Sequence, residues 1–270
     1  MELLRGRGRL NVGALRCLVH GPAPGAWNMA VDEALMDTAR CGRVTLRLYQ
    51  WEPGCLSFGR NQTARGRYDG ELAARRGIDV VRRPTGGRSV FHHREITYSV
   101  TAPADEWGGL RQAYLRINRA LAAGLRDLGV PAAVVEERRS SALPRPGPRA
   151  CFRDPLPGEV VARNRKLVGS AQWRDGGALL QHGSLLLHND QAMVEELRIG
   201  GSEGVDLPAT GLAEHLDPLP PVETVVDALA RAFATELGRE RDRAELTTAE
   251  RSMAGARMAR YRRDEWTWRR

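Results

Sequence analysis

The alternation of apolar and polar residues predicts a β-rich centre for this chain. Val44–Trp51 alternates between the two classes, as a half-buried strand does. Short apolar segments bounded by turn residues predict further strands over 55–58, 78–82, 89–91, 96–102 and 130–135. The segment 159–187 is typical of a three-stranded meander, with turns at Asn164 and at Gly176-Gly177.

Apolar residues at helical spacing predict helices that flank these strands. The longest covers 110–128 and is followed by Gly129, a residue type that commonly ends helices. Asn28 is predicted to cap a helix over 28–36. The other predicted helices cover 68–76, 190–198 and 222–237. Together these elements indicate an α+β fold with a mixed β-sheet core flanked by helices. The sequence has neither a G-x-G-x-x-G nor a P-loop motif, which argues against Rossmann and P-loop enzymes.

The composition is typical of a soluble globular protein. The 270 residues are 42% hydrophobic and 27% charged, and the sequence has no apolar run long enough for a membrane span or a signal peptide. Cys17, Cys41, Cys55 and Cys151 are far apart and form no C-x-x-C pair, so neither a zinc site nor a disulfide framework is expected. Reduced thiols fit a cytoplasmic protein.

The net charge of +8 raises the question of a nucleic-acid partner. The segment 239–270 supplies half of this charge, and basic and aromatic residues are interleaved only over 261–270. A solvated amphipathic helix is the preferred interpretation of this tail; acidic protein partners come next and nucleic acid comes last. Lys166 is the only lysine among the 41 basic residues. Because the chain otherwise uses arginine as its cation, this lysine indicates a place where a guanidinium does not fit.

The segment 82–92 holds the densest group of residues suited to ligand binding. Gly86 and Gly87 lie between two predicted strands, where the lack of side chains lets a ligand approach the backbone. Arg83 and Arg88 add positive charge with forked donor geometry. A Gly-Gly hairpin turn with surface arginines explains the same residues equally well.

Three further residues are candidates for chemistry. Lys166 lies on a predicted strand and is followed by small residues that leave room for a ligand; a solvated surface lysine is the alternative. Cys151 lies in a Pro/Gly-rich loop between Arg149 and Arg153, whose charges favour the nucleophilic thiolate. Buried structural cysteines are commoner, but packing does not explain a cysteine on a polar loop. For His182, which precedes a glycine on a strand, a structural role is the default.

These segments, in this order, resemble the lipoate/octanoate transferase and ligase family, which has the biotin/lipoate protein ligase fold, a class II synthetase-like catalytic domain. The resemblance covers about residues 27–190 and is carried by the segments 28–33, 53–62, 82–92, 95–100, 166–172 and 181–184. His93 departs from the family pattern, which usually has aspartate at that place. The resemblance is nearest to the cysteine-dependent octanoyltransferases, because Cys151 precedes Lys166 as their cysteine does.

The resemblance implies a catalytic domain over 1–238 and an Arg-rich helical C-terminal extension over 239–270. Lys166 corresponds to the lysine that holds the acyl carbonyl, and Cys151 to the cysteine that carries the acyl group. The implied substrate-binding residues are Arg83, Thr85, Gly86, Gly87, Arg88, His92, Gly169, Ser170, Gln172, His182 and Gly183, with no metal site. Val90 and Leu167 are expected walls of an apolar tunnel for the acyl chain.

The function that the resemblance implies is octanoyl transfer in lipoate biosynthesis. Octanoyl from acyl carrier protein would form a thioester with the cysteine and then pass to a lysine of a lipoyl-domain protein, such as the glycine cleavage H protein or a dehydrogenase E2 subunit. No ATP or metal cofactor is expected, nor a membrane or nucleic-acid partner, and the protein is expected to be a cytoplasmic monomer. An ATP-dependent lipoate-protein ligase and an octanoyl amidotransferase acting between lipoyl-domain proteins are the alternatives.

Overall fold

A computed structural model describes residues 13–135, 156–201 and 208–270, so Cys151 lies outside the described residues. The strands in these ranges are β1 (Leu15–Ala23), β2 (Val44–Trp51), β3 (Cys55–Phe58), β4 (Asp79–Arg82), β5 (Val90–His92), β6 (Glu95–Pro103), β7 (Ala132–Val134), β8 (Val160–Ala162), β9 (Arg165–Asp175), β10 (Ala178–Leu186) and β11 (Arg241–Arg243). The α-helices are α1 (Gly25–Ala39), α2 (Gly70–Arg75), α3 (Leu110–Asp127), α4 (Ala192–Glu196), α5 (Val222–Leu237), α6 (Thr248–Tyr261) and α7 (Asp264–Thr267).

The strands form two sheets. The larger is mixed and has the order β11-β1-β2-β6-β10-β9-β8-β7, while the smaller has the order β4-β3-β5. In the larger sheet, β1 is parallel to both of its neighbours and the other pairs are antiparallel. The small sheet is inserted in the sequence between β2 and β6, which are adjacent central strands.

The alternation of side chains along the central strands creates a separate core on each face of the large sheet. On one face, Leu46 of β2 packs in a cluster with Ile117 of α3 and with α5. On the other face, Tyr49 of β2 packs in a cluster with Met29 of α1 and with α6. A mixed sheet flanked by helices is the architecture that the sequence predicts, so the α+β prediction is confirmed. Within the described ranges, every helix is too short or too polar to cross a membrane.

The strand β1 is absent from the sequence-based prediction. Its segment contains Gly21 and Pro22, which normally weaken a strand, and the structure accommodates them with a shift of register between Val19 and Pro22. Pairing with β2 and β11 on its two sides keeps β1 in the sheet. Long-range pairing therefore overrides the local signal of these two residues.

The prediction that Asn28 caps the first helix is wrong. The helix begins three residues earlier, at Gly25, and Asn28 is fully buried in its first turn. Its Nδ2 donates to the carbonyl oxygens of Ala23 and Gln50 at 3.1 and 3.0 Å. Asn28 thus joins α1 to the end of β2 instead of capping the helix.

The segment 239–270 packs closely against the rest of the protein. β11 extends the large sheet beside β1, and α6 packs against α1. Arg16 of β1 and Glu250 of α6 form a buried ion pair with an N–O distance of 2.5 Å. Trp268 packs beside the small sheet, with its ring 5.2 Å from that of Phe58. The division into a catalytic domain and an extension stays a prediction, but the contacts of this segment are those of an integral part of the fold.

Candidate active site

A cavity lies between the small sheet and the centre of the large sheet. It encloses about 360 Å³, its open mouth included. The predicted substrate-binding residues that line it are Arg83, His92, Gly169, Ser170, His182 and Gly183, and the expected wall residue Val90 lines it too. Met29, Tyr49, Trp51, Thr97, Ala171 and Ser184 complete the lining. The structure therefore brings the 82–92 segment and the glycine-bearing strands β9 and β10 together around one space.

A buried chain of hydrogen bonds runs behind one wall of the cavity. His182 Nδ1 lies 3.0 Å from Asp32 Oδ2, and His182 Nε2 lies 2.7 Å from Thr85 Oγ1. Arg47 Nη1 donates to Asp32 Oδ1 at 2.7 Å. Burial lowers the pKa of the His182 imidazole, against the opposing effect of the Asp32 carboxylate. His182 is therefore a neutral ring that donates from Nδ1 to Asp32 and accepts the Thr85 hydroxyl proton at Nε2.

Asp32 is the centre of this chain. Besides His182 and Arg47, the hydroxyl groups of Tyr49 and Ser99 donate to its carboxylate at 2.9 and 2.8 Å. Burial alone would raise the pKa of Asp32, but the hydrogen bond from His182 and the Arg47 guanidinium together hold it below its usual value. Asp32 is thus an ionised carboxylate, fully buried, with donors on every side.

The second cavity histidine, His92, is held in a similar way. Ser57 Oγ lies 2.7 Å from His92 Nε2, and Glu95 Oε1 lies 2.9 Å from Nδ1. Arg83 donates to the same Ser57 oxygen at 3.0 Å, so the proton of that hydroxyl points to His92. The Trp51 ring stacks on the His92 ring, with 4.0 Å between centroids and 13° between planes.

These hydrogen bonds decide what the cavity offers to a ligand. The ring nitrogens of His92 and His182 are directed to protein partners, so both rings present mainly carbon atoms to the cavity. Met29, Trp51 and Val90 add further apolar surface. A narrow space lined in this way suits an alkyl chain better than a polar ligand.

The predicted glycine loop is fixed by Arg83 at the edge of the cavity. The Arg83 guanidinium donates to the carbonyl oxygens of Gly86 and Arg88 at 2.9 and 2.6 Å. Gly87 has a φ of +95°, and a Cβ there would lie 2.7 Å from Arg83 Nη2, so the loop requires glycine at this place. Within the described ranges, the amides of Gly86 and Gly87 donate no hydrogen bond, so they can bind an oxyanion.

A close approach of β9 and β10 explains why residue 183 is a glycine. This residue is paired with Ser170, and a Cβ on it would lie 2.3 Å from the carbonyl oxygen of Gly169. Any side chain would push the strands apart next to the cavity. The predicted residues Gly169, Ser170 and Gly183 are therefore brought together, and the close approach of the two backbones is the reason.

Lys166 and Gln172 lie on β9 outside the lining of this cavity. Lys166 is 1% exposed, and its Nζ donates to Glu159 Oε1 at 2.7 Å. Gln172 donates to Gln181 on the neighbouring strand at 2.8 Å. Leu167, expected to be a tunnel wall, is fully buried in the large core instead. The role of Lys166 at an acyl carbonyl stays a prediction, and Glu159 is a partner that the sequence did not indicate.

The cysteines differ in their environments. Burial raises the pKa of the Cys17 thiol to about 11 and that of Cys55 well above its ordinary value, so neither forms a ready nucleophile. Cys41 is exposed in the turn after α1. Cys151 falls outside the described ranges, so its proposed nucleophilic role stays a prediction.

A family model described as the lipoyl protein ligase A/B catalytic domain matches residues 24–234. The chain belongs to this family. Octanoyltransferase LipM from Kyrpidia tusciae is 43% identical over 94% of this chain and 98% of its own length. Octanoyltransferase LipM from Moorella thermoacetica is 38% identical over 90% of this chain and 93% of its own length.

Solved structures of lipoate-protein ligases share the fold. A bipartite lipoate protein ligase from Thermoplasma acidophilum is 23% identical, with a TM-score of 0.75 over 94% of this chain and 96% of that chain. A lipoate-protein ligase A bound with ATP is also 23% identical, with a TM-score of 0.76 over 94% of this chain and 98% of that chain. The α+β catalytic fold that the resemblance implies is therefore confirmed.

Sequence reasoning missed the residues behind the cavity wall. Asp32, Arg47 and Glu95 are charged groups within segments that otherwise bury their side chains. Acidic and basic residues are almost never fully buried unless they are paired. A charged residue inside a predicted core element therefore indicates a buried ion pair or hydrogen-bond network, but the sequence does not identify the partner.

Proposed function

We propose that this protein is an octanoyltransferase that transfers an octanoyl group from acyl carrier protein to a lysine of a lipoyl-domain protein, a step in lipoate biosynthesis. The observation that carries the proposal is the 43% identity to an octanoyltransferase over nearly the full length of both chains. The acceptor would be a glycine cleavage H protein or a dehydrogenase E2 subunit.

The cavity supports an alkyl substrate. Its histidine nitrogens are engaged by Asp32, Thr85, Ser57 and Glu95, and the surface that remains is mainly carbon. An octanoyl chain has no hydrogen-bonding groups beyond its carbonyl, so burial in such a space stabilises it through apolar contact alone. The carbonyl would lie near the glycine loop, where the amides of Gly86 and Gly87 donate no hydrogen bond to any described residue.

The proposed reaction has two covalent steps. The Cys151 thiolate attacks the octanoyl thioester of the carrier, forming a new thioester and releasing the carrier thiol after it takes up one proton. The amine of the acceptor lysine then attacks the octanoyl carbon, a C–N bond forms and the C–S bond breaks. The amine loses one proton and the departing Cys151 sulfur regains one. Amides of Gly86 and Gly87 and the Lys166 ammonium would stabilise the oxyanion in both steps.

The proposal requires neither ATP nor a metal ion, because aminolysis of a thioester proceeds downhill. A free cysteine nucleophile also requires a reducing compartment, which keeps the expected cytoplasmic location in the proposal. The buried thiols of Cys17 and Cys55 are too weakly acidic to replace Cys151 in this role.

Intact-mass measurement after mixing with octanoyl-acyl carrier protein tests the proposal directly. We expect one octanoyl adduct on the wild type and on Cys41→Ser, which removes an exposed cysteine as a matched control. Cys151→Ser should carry no thioester and should transfer no octanoyl to a lipoyl domain.

Three results would overturn the proposal. Full transfer by Cys151→Ser would exclude the thioester route. Formation of a lipoyl-adenylate from free lipoate and ATP, with Cys151 dispensable, would identify a ligase. Transfer from an octanoylated lipoyl domain, but not from the carrier protein, would identify an amidotransferase and exclude the proposed donor.

A further inference from the structure

A group of arginines beside the cavity has no carboxylate partner among the residues that the structure describes. We call it the basic rim: Arg60, Arg269 and Arg270 at the surface, with Arg82 buried beneath them. Arg269 and Arg270 are exposed, and Arg60 is half-buried. Across the described part of the chain, no Asp or Glu forms an ion pair with any of the four, whereas many other arginines here do.

Arg82 is the least expected member of the basic rim. Its guanidinium is fully buried and donates only to backbone carbonyls, including those of Gly59, Gln62 and Thr267 at 2.6, 2.8 and 3.0 Å. Its Nη2 has no hydrogen-bond partner in the described ranges. Burial and the neighbouring arginines, chiefly Arg269, lower the pKa of Arg82 to about 10, yet the group stays charged at neutral pH. Among the described residues, its charge therefore faces carbonyl oxygens but no carboxylate.

The basic rim lies beside the glycine loop at the edge of the cavity. The Arg60 amide donates to the Thr85 carbonyl at 2.8 Å, in the loop that carries Gly86 and Gly87. The Arg60 guanidinium lies over the Trp173 ring of β9, 4.9 Å from its centroid. Trp173 follows the cavity residue Ala171 by two positions. Arg60 thus contacts both the glycine loop and β9, a strand that contributes Gly169, Ser170 and Ala171 to the cavity lining.

The positions of these charges are fixed by the fold. Arg269 lies over the Trp266 ring at 4.2 Å and donates to the Arg60 carbonyl. The amides of Ala64 and Arg65 both donate to the Arg270 carbonyl oxygen at 2.7 Å. Like charges held this close repel one another, and an anionic partner would relieve the repulsion.

The aromatic rings of the rim favour one class of partner over another. Nucleic acids commonly bind through bases stacked on exposed aromatic rings. Here guanidinium groups already cover Trp173 and Trp266. The rim also has three separate surface guanidinium groups, on Arg60, Arg269 and Arg270, which fit several carboxylates of a protein surface better than one phosphate.

We propose that the basic rim docks the acidic face of the acyl-carrier donor. The inference rests on the proposed octanoyltransferase function. The rim adjoins the glycine loop at the edge of the cavity that would hold the octanoyl chain, so the body of the protein that carries this chain would lie against the rim. Charge complementarity at such a border raises the association rate and sets orientation.

The double variant Arg60→Gln/Arg269→Gln tests the docking surface. Its matched control, Arg119→Gln/Arg243→Gln, removes the same charge from exposed positions on α3 and β11. With octanoyl-acyl carrier protein we expect the KM of the rim variant to rise about tenfold, with a weaker dependence on salt. With octanoyl-pantetheine, which is uncharged, the rim variant should match the wild type, which also verifies that it is folded. The single variant Arg270→Gln should show a smaller shift of the same kind.

Three outcomes would overturn the inference. The first is an unchanged KM for the carrier substrate in the rim variants, or an equal rise in the control. The second is a rise of the KM for octanoyl-phosphopantetheine in the rim variant as large as the rise for the carrier substrate, which would assign the rim to a phosphate. The third is a rim variant in which only the KM for the lipoyl-domain acceptor rises. Absence of any octanoyl adduct on the wild type would instead refute the proposed function, so the two failures are distinguishable.

Discussion

Replacement of Asp32 by asparagine should destabilise the fold more than the same replacement of Asp37, a partly exposed aspartate of the same helix. The Asp32 carboxylate accepts hydrogen bonds from Arg47, Tyr49, Ser99 and His182, and none of its surface is exposed. An asparagine keeps one oxygen and turns an NH2 group toward two of these donors. The buried Arg47 charge loses its counter-charge at the same time.

The size of the effect follows from that arrangement. Breaking a buried ion pair by removal of one partner costs about 3–5 kcal/mol, a large part of the ~5–15 kcal/mol that stabilises a typical domain. For a protein of this size the expected fall in Tm is about 6–20 °C. Asp37→Asn is the matched control, since Asp37 also lies on α1 and pairs with arginines but is partly exposed. It should cost about 0–1 kcal/mol.

Thermal unfolding as a function of pH checks the reasoning. The pKa of Asp32 is lowered in the folded state, so its contribution is present above the unfolded-state value of about 4 and is lost as the pH falls through the folded-state value. The Tm difference between wild type and Asp32→Asn should therefore be full at neutral pH and should narrow in acid. Equal Tm values for Asp32→Asn and Asp37→Asn at pH 7 would refute the argument.

Two further substitutions probe the strands beside the cavity. Lys166→Arg should keep the charge opposite Glu159 and remain folded, but a planar guanidinium cannot take the position of the compact ammonium, so octanoyl transfer should fall about 10²-fold or more. Arg165→Lys, at the half-buried position next to it, should transfer normally. Full activity of folded Lys166→Arg would remove the role assigned to this lysine. Gly183→Ala should lower the free energy of unfolding by about 1–3 kcal/mol, since its Cβ would meet a neighbouring carbonyl at 2.3 Å. Gly255 on α6 has open space around it, so Gly255→Ala should raise the free energy of unfolding by about 0.5–1 kcal/mol. Urea titrations measure both changes, and a change of the same sign in the two variants would contradict the packing argument.

Elements with strong local signals could be predicted from the sequence. The alternation in 44–51 and the turns at Asn164 and Gly176-Gly177 correspond to β2 and to the β8–β10 meander, because both follow from local backbone preferences. β1 could not be predicted, since its Gly21 and Pro22 are overridden by pairing with distant strands. Local sequence contains no information on that pairing.

In the candidate site, too, features set by local backbone geometry could be predicted, whereas contacts between distant residues could not. The loop around Gly86 and the strand glycines could be located because close backbone approach restricts the residue type. The contact between His182 and Asp32 joins residues 150 positions apart, and their types alone do not identify the pair. Lys166 was singled out by its rarity, but its buried partner Glu159 follows only from the fold around β8 and β9.

The buried network has a consequence for how the proposed reaction handles protons. Lys166 is hydrogen-bonded to Glu159, so it can donate to an oxyanion but is poorly placed to remove a proton from the incoming amine. His182 is neutral, but its Nε2 already accepts from Thr85, and its Nδ1 donates to Asp32. Neither His182 in the cavity lining nor Lys166 beside it on β9 is therefore placed to act as the base. In the proposed reaction the proton lost by the amine then passes to the departing cysteine sulfur, so the basicity of that sulfur as the C–S bond breaks is the expected control of the second step.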